Sequence, residues 1–160
     1  MEKEAGWLIL QAIRFKEQGP LLKTKGLLSM SSKFSLTAID HFVLTVRNIE
    51  KSVRFYRDTL GCPIITFGDN RFAVQIGSSK INLHQADSPI VPHASVPTSG
   101  SADFCLLTDS SVGEIQNYLL SQNIEIELGP VGRTGAAGPI TSFYIRDPDG
   151  NLIEISSLEK

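Results

Sequence analysis

Cysteine is scarce: the 160 residues hold only Cys62 and Cys105, with no C-x-x-C spacing. That removes a disulfide framework or a cysteine zinc motif as the organiser of the fold, and both thiols are expected to be small buried groups in a reducing compartment. Long apolar runs are also missing, none approaching the roughly 20 residues a membrane-spanning helix needs. Nor is positive charge in surplus: Lys and Arg number 15 against 17 Asp and Glu, for a net charge of −2. No basic stripe offers itself to a phosphate backbone, so nucleic acid is not an expected partner and a small molecule is. The opening MEKEAGWLILQAIRFKEQG is acidic and lacks a basic n-region followed by a small-residue cleavage site. No secretory signal is therefore expected; the cytoplasm is the expected location, with the mitochondrion left open.

What is present is ordinary globular material, with 41% hydrophobic and 20% charged residues. Residues 1–37 lack sustained periodicity and read as a poorly ordered N-terminal extension with one short helix from about Trp7 to Glu17. From 38 to 158 the signals of a single domain follow closely. IDHFVLTV is β-rich, Asn48 caps a helix whose Ile49, Val53, Tyr56 and Leu60 recur at helical spacing, and Gly61 suits its C-terminus. Strands are expected at 62–67, 72–76 and 80–85, separated by turns at Gly68-Asp69-Asn70 and Gly77-Ser78-Ser79. A proline-rich linker, 86–101, comes next. The order then restarts with a strand at 102–108, a helix at 110–122, and strands at 124–128, 140–145 and 152–156. Two β-α-β-β-β modules, 38–85 and 102–157, are expected, and the fold class is α+β.

Strand parity selects candidate site residues. His41 lies on the face opposite Phe42, Leu44 and Val46. Asn82 and His84 lie opposite Ile81 and Leu83, Asp103 opposite Phe104 and Leu106, and Glu154 opposite Ile153 and Ile155. Singly, a histidine in a strand is ordinarily a satisfied polar residue, and an aspartate before a strand is ordinarily a turn residue. Together, His41 and Asp103 open equivalent strands while His84 and Glu154 sit in equivalent closing strands. That set of two imidazoles and two carboxylates suits a borderline or hard divalent ion such as manganese, iron, cobalt, nickel or zinc. His93 falls in the linker and is expected to be incidental.

The closing motif RDPDGNLIEI (Arg146 to Ile155) reads as a turn, with Pro148 at its second position, that fixes the register of the strand carrying Glu154. With IDHFVLTV, FYRDTLG and INLHQ, it resembles the vicinal oxygen chelate superfamily, which includes glyoxalase I, bleomycin-resistance proteins and extradiol dioxygenases. The resemblance runs from about Ile39 to Ser157. It implies a cup-shaped, barrel-like mixed sheet built from both modules, with one divalent metal held by His41, His84, Asp103 and Glu154. Asp103 departs from the histidine or glutamine usual at its position. The resemblance further implies Lewis-acid stabilisation of an enolate or oxyanion on a small oxygen-rich metabolite, with Glu154 as the candidate base, and a homodimer. Glutathione enters as a candidate co-substrate through glyoxalase I, although no residue here specifies it. The alternative is a metal-free module of the bleomycin-resistance type that binds a small molecule in the same cup. One segment stands apart: Gly129 to Pro139 (GPVGRTGAAGP) reads either as a long mobile surface connection or as a lid whose Arg133 meets a substrate carboxylate, phosphonate or phosphate.

Overall fold

The computed structural model of the chain describes residues 34–158. The expected N-terminal extension and its helix lie outside the described residues. Two four-stranded sheets are present among the described residues. The first is made of β1 (His41–Val46), β2 (Ile64–Phe67), β3 (Arg71–Ile76) and β4 (Ser79–Gln85), with α1 (Ile49–Arg54) between β1 and β2. The second is made of β5 (Asp103–Thr108), β6 (Leu128–Gly135), β7 (Gly138–Arg146) and β8 (Leu152–Leu158), with α2 (Val112–Ser121) between β5 and β6. Their strand orders, β1-β4-β3-β2 and β5-β8-β7-β6, are the same topology, with the first and last strands of each module parallel. The duplication read from the sequence is therefore a duplication of fold.

Local chemistry explains the helix ends. Asn48 is extended and its side chain accepts a hydrogen bond from the Lys51 amide, while Ser111 and Glu114 form a reciprocal capping box on α2. After Arg54 the first helix widens into a π-helical turn, Phe55–Thr59, and Gly61 leaves it at φ +69, a conformation that glycine adopts without steric cost.

Three expectations change. The strand expected at 124–128 begins only at Leu128, and the segment from Gly129 is no loose connection: β6 runs through it and forms a hairpin with β7, turning at Ala136 and Ala137. Its glycines and Pro130 are tolerated because β6 is an edge strand, and the register breaks between Leu128 and Val131. Cys105, expected to be buried, is exposed, because parity puts it on the face away from the core; Cys62 is half-buried.

One core serves both modules. Leu44, Val46, Tyr56, Ile81 and Leu83 from the first pack in the same cluster as Ile115, Leu119, Phe143, Ile145 and Ile153 from the second. The rings of Phe42 and Phe104 meet edge-on with centroids 5.3 Å apart. The sheets thus share a core through their helix-bearing faces, leaving each with an open face.

A buried polar lock reinforces this junction. Asp147, in the turn before β8, accepts at Oδ1 from the amides of Asp149 and Asn151, both at 2.9 Å. Its Oδ2 accepts from the Tyr56 hydroxyl at 3.0 Å and from Asn151 Nδ2 at 2.8 Å. Asp149 Oδ1 accepts from the Arg47 amide, and Asn151 Oδ1 from the Ala102 amide, each at 2.9 Å. Burial and the adjacent Asp147 carboxylate push the Tyr56 phenol well above its ordinary pKa, so it stays a donor.

Candidate functional site

On the open face of the first sheet, the parallel pairing sets His41 against Lys80, Val43 against Asn82 and Thr45 against His84. His41 is exposed, and its Nδ1 lies 2.6 Å from Asp40 Oδ1. With a carboxylate there, Nδ1 carries the proton and Nε2 keeps a free lone pair, the arrangement that orients a metal-binding imidazole. The same hydrogen bond lowers the Asp40 pKa.

Asn82 and His84 are buried on this face, yet Asn82 Oδ1 and His84 Nδ1 find no hydrogen-bond partner among the described residues. Orphaned buried polar atoms cost about 1–3 kcal/mol each, so this patch is built for something that meets them. Burial, followed by the charges of Arg71 and His93, lowers the His84 pKa. His93, expected to be incidental, therefore lies within electrostatic reach of the site.

On the second sheet, Asp103 is exposed and pairs with Leu152, while Cys105 pairs with Glu154. Half-buried Glu154 accepts at Oε1 from Ser142 Oγ at 2.5 Å and more weakly from Ser156 Oγ at 3.4 Å. Ser142 and Ser156 are 2.8 Å apart, and the Cys105 thiol reaches Ser156 Oγ at 3.3 Å. The carboxylate in the middle of an apolar strand is thus satisfied by hydroxyl donors, with Oε2 outside this network. Beside it lies a cavity of about 430 Å³ whose lining, Arg133, Cys105, Ile140 and Leu158 among it, comes entirely from the second sheet. Arg133 donates from Nε to the Tyr144 hydroxyl at 3.0 Å, and Tyr144 is the register neighbour of Glu154. Arg133 is therefore held over β7, one strand away from Glu154.

A larger cavity, about 530 Å³, lies where α2 and β5 meet the β2–β3 side of the first module. It holds none of the candidate residues.

The register corrects one equivalence. Glu154 pairs with the residue two beyond Asp103, and the residue paired two beyond His41 is Asn82, not His84. His84 lies about 7 Å further along its strand. The sequence held the signal, because Ile81-Asn82-Leu83 matches Ile153-Glu154-Ile155 in its apolar-polar-apolar order. Chemical preference for an imidazole obscures it. Nor do His41, His84, Asp103 and Glu154 converge within one chain. Among the described residues no three of His, Cys, Asp or Glu gather as a metal site. Asp40, Ser142 and Ser156 are the neighbours that sequence reasoning missed, while Asn82, placed on this face by parity, was passed over for His84.

Residues 38–155 match the Glyoxalase/Bleomycin resistance protein/Dioxygenase superfamily. The chain belongs to this superfamily. It is similar to virulence protein STM3117 of Salmonella typhimurium, 50% identical over 126 residues that make up 79% of this chain and 88% of that protein. The crystal structure of that protein superimposes with a TM-score of 0.77 at 49% identity, covering 79% of this chain and all (100%) of that one. Glyoxalase domain-containing protein RDO1 of Mycosarcoma maydis is 44% identical over 127 residues, 79% of this chain and 72% of that protein. Metallothiol transferase FosB of Staphylococcus haemolyticus is 25% identical over 120 residues, 75% of this chain and 83% of that protein. The glyoxalase-like fold read from the closing motif is thus the fold of the superfamily, and among the described residues no helix is long and apolar enough to cross a membrane.

Proposed function

We propose that the chain is a divalent-metal-dependent vicinal oxygen chelate enzyme acting on a small oxygen-rich metabolite. The observation that carries this reading is the pair of prepared donors on equivalent strands: His41, turned by Asp40 to offer Nε2, and Glu154, held at Oε1 by Ser142 with Oε2 uncommitted. Asp103 and the orphaned Asn82 Oδ1 occupy the two positions equivalent to them. One imidazole nitrogen and three oxygens fit zinc, nickel, cobalt, manganese or iron. His84 offers a further imidazole on the same face as Asn82.

A divalent ion held there supplies Lewis-acid stabilisation to an oxyanion on a substrate with two adjacent oxygens. The chain's residues do the rest. Glu154, held at Oε1 by Ser142, would move a proton beside that oxyanion, and Arg133 would bind an anionic substrate group from β6, across β7 from Glu154. Because the donors of the two sheets do not gather within one chain, a homodimer in which the first sheet of one copy meets the second sheet of its partner completes the cup. A thiol co-substrate such as glutathione belongs to the same reading, as does a cytoplasmic location.

Elemental analysis of the purified protein tests it. One equivalent of metal per chain, lost in His41→Ala and Glu154→Gln, is expected. A protein that takes up no divalent ion at micromolar concentration refutes it. The second reading, a metal-free module that sequesters a small molecule, draws on the absence of a three-donor cluster among the described residues of one chain. It predicts ligand binding that survives chelation.

A further inference from the structure

The open face of the first sheet carries cations that the reading above leaves unused. Lys80 Nζ lies 4.0 Å and Arg71 Cζ 4.7 Å from the ring centroid of the same residue, Phe67. The register sets Arg71 directly opposite Phe67 across β2–β3, whereas Lys80, paired with Gln75 on β3 and with His41 on β1, reaches the ring along the same face through its long side chain. All project from the face that carries Asn82 and His84. Gly68 leaves room for the guanidinium, since a Cβ there would sit 2.8 Å from Arg71 Nη2.

Two like charges sharing one ring repel each other. Among the described residues no carboxylate lies within ion-pair distance of either. Asp40, whose pKa Lys80 helps to lower, is already hydrogen-bonded to His41. The aromatic face fixes both cations in place without neutralising them. Next to them sit the orphaned atoms of Asn82 and His84, each residue more than nine-tenths buried, at 9% and 7% exposure. Fixed unpaired cations beside unsatisfied buried polar atoms are the makings of a ligand subsite.

We propose that Arg71 and Lys80, held on Phe67, form an anion subsite that receives an oxyanion arm of the substrate, a carboxylate or a phosphoryl group, beside Asn82 and His84. The proposal rests on the reading that this face forms one wall of the substrate cup. It makes the substrate a small acid, with its charged arm on the first sheet and its reacting oxygens toward Glu154.

The test uses the full chain after chelation, so that it does not depend on metal. Inorganic phosphate and acetate are titrated separately at constant ionic strength while the His84 ring resonances are followed by nitrogen–proton NMR. Saturable shifts at millimolar concentration are expected, weakened at least tenfold in Arg71→Gln and in Lys80→Gln. Arg57→Gln, which removes a surface charge on the π-helical turn, is expected to leave the affinity unchanged. Tighter phosphate binding marks a phosphoryl arm, and tighter acetate binding a carboxylate. No saturable shift in the native chain overturns the subsite, and so does affinity that Arg71→Gln and Lys80→Gln both leave intact. Should Arg71→Gln fail to fold, Lys80→Gln alone decides. Metal uptake is measured on the same preparations before chelation. Failure of uptake with the anion response intact refutes the metalloenzyme and keeps the subsite, whereas the reverse refutes the subsite alone.

Discussion

Asp147→Asn is the sharpest probe of how the two modules are joined. The native carboxylate accepts four hydrogen bonds and is 5% exposed. In the variant, one amide oxygen keeps the backbone donors of Asp149 and Asn151, while an amide nitrogen takes the place of Oδ2. The Tyr56 hydroxyl can reverse and accept from it. Asn151 cannot, because its own amide oxygen is committed to the Ala102 amide at 2.9 Å, so two donors confront each other. Losing that buried charge-assisted bond and stranding Asn151 Nδ2 costs about 2–3 kcal/mol, and reducing the two backbone bonds to neutral strength adds about 1–2 kcal/mol. The expected loss is about 3–5 kcal/mol. For a domain of this size it lowers the melting temperature by roughly 10–15 °C. Urea unfolding followed by far-UV circular dichroism measures it. A loss below about 1 kcal/mol would refute the reasoning, because the carboxylate would then not be the anchor of the junction.

Other expectations follow from the same geometry. Because the folded pKa of Tyr56 is raised, its contribution is complete below the ordinary phenol value of about 10 and declines as pH rises above it. Stability should fall above that pH by about 1.4 kcal/mol per unit, and Tyr56→Phe should remove this slope; an unchanged alkaline slope in the variant counts against the assignment. Gly129→Ala places a Cβ 2.6 Å from the Ser142 carbonyl at φ +128, so about 2–5 kcal/mol of stability should vanish in urea titration. Burial raises the pKa of both thiols, and the Glu154 charge adds to the rise at Cys105 while its bond to Ser156 opposes it. Both should label slowly near neutral pH, with exposed Cys105 ahead of half-buried Cys62 in timed mass spectrometry. The opposite order would mean that β5 is misplaced.

Much of this architecture is legible in the residues. Alternation in HFVLTV and DFCLLT assigns the core-facing side of β1 and β5, and Asn48 and Gly61 bracket the first helical segment as their chemistry dictates. The edge strand β6 was hidden because Gly129, Pro130, Gly132 and Gly135 carry loop chemistry, which an unpaired edge tolerates. The same parity places Glu154 on the open face, but no local pattern reveals its donors: Ser142 lies on another strand and is an unremarkable residue until β7 pairs with β8. The misplaced equivalence of His84 has a different cause, since residue type outweighed register. The lock was hidden by distance along the chain. Tyr56 and Arg47 are separated by 91 and 102 residues from the aspartates that they bond, and periodicity reports nothing at that range.

The turn between β7 and β8 is the most recognisable stretch of the sequence, yet its polar side chains are spent on fastening: Asp147 and Asp149 clasp the first module, and Asn151 braces Asp147 from within the second. Asp147, Asp149 and Asn151 face inward and none lines the cavity beside Glu154. A chain bearing this signature therefore announces how its halves are fastened, and says nothing about what it converts. Chemistry could drift to another reaction, or disappear altogether, while the signature stays whole. Conversely, a chain could lose the clasp and keep every reactive group. Sorting proteins of this fold by activity calls for reading the open faces of the sheets, strand by strand, and leaving the clasp aside.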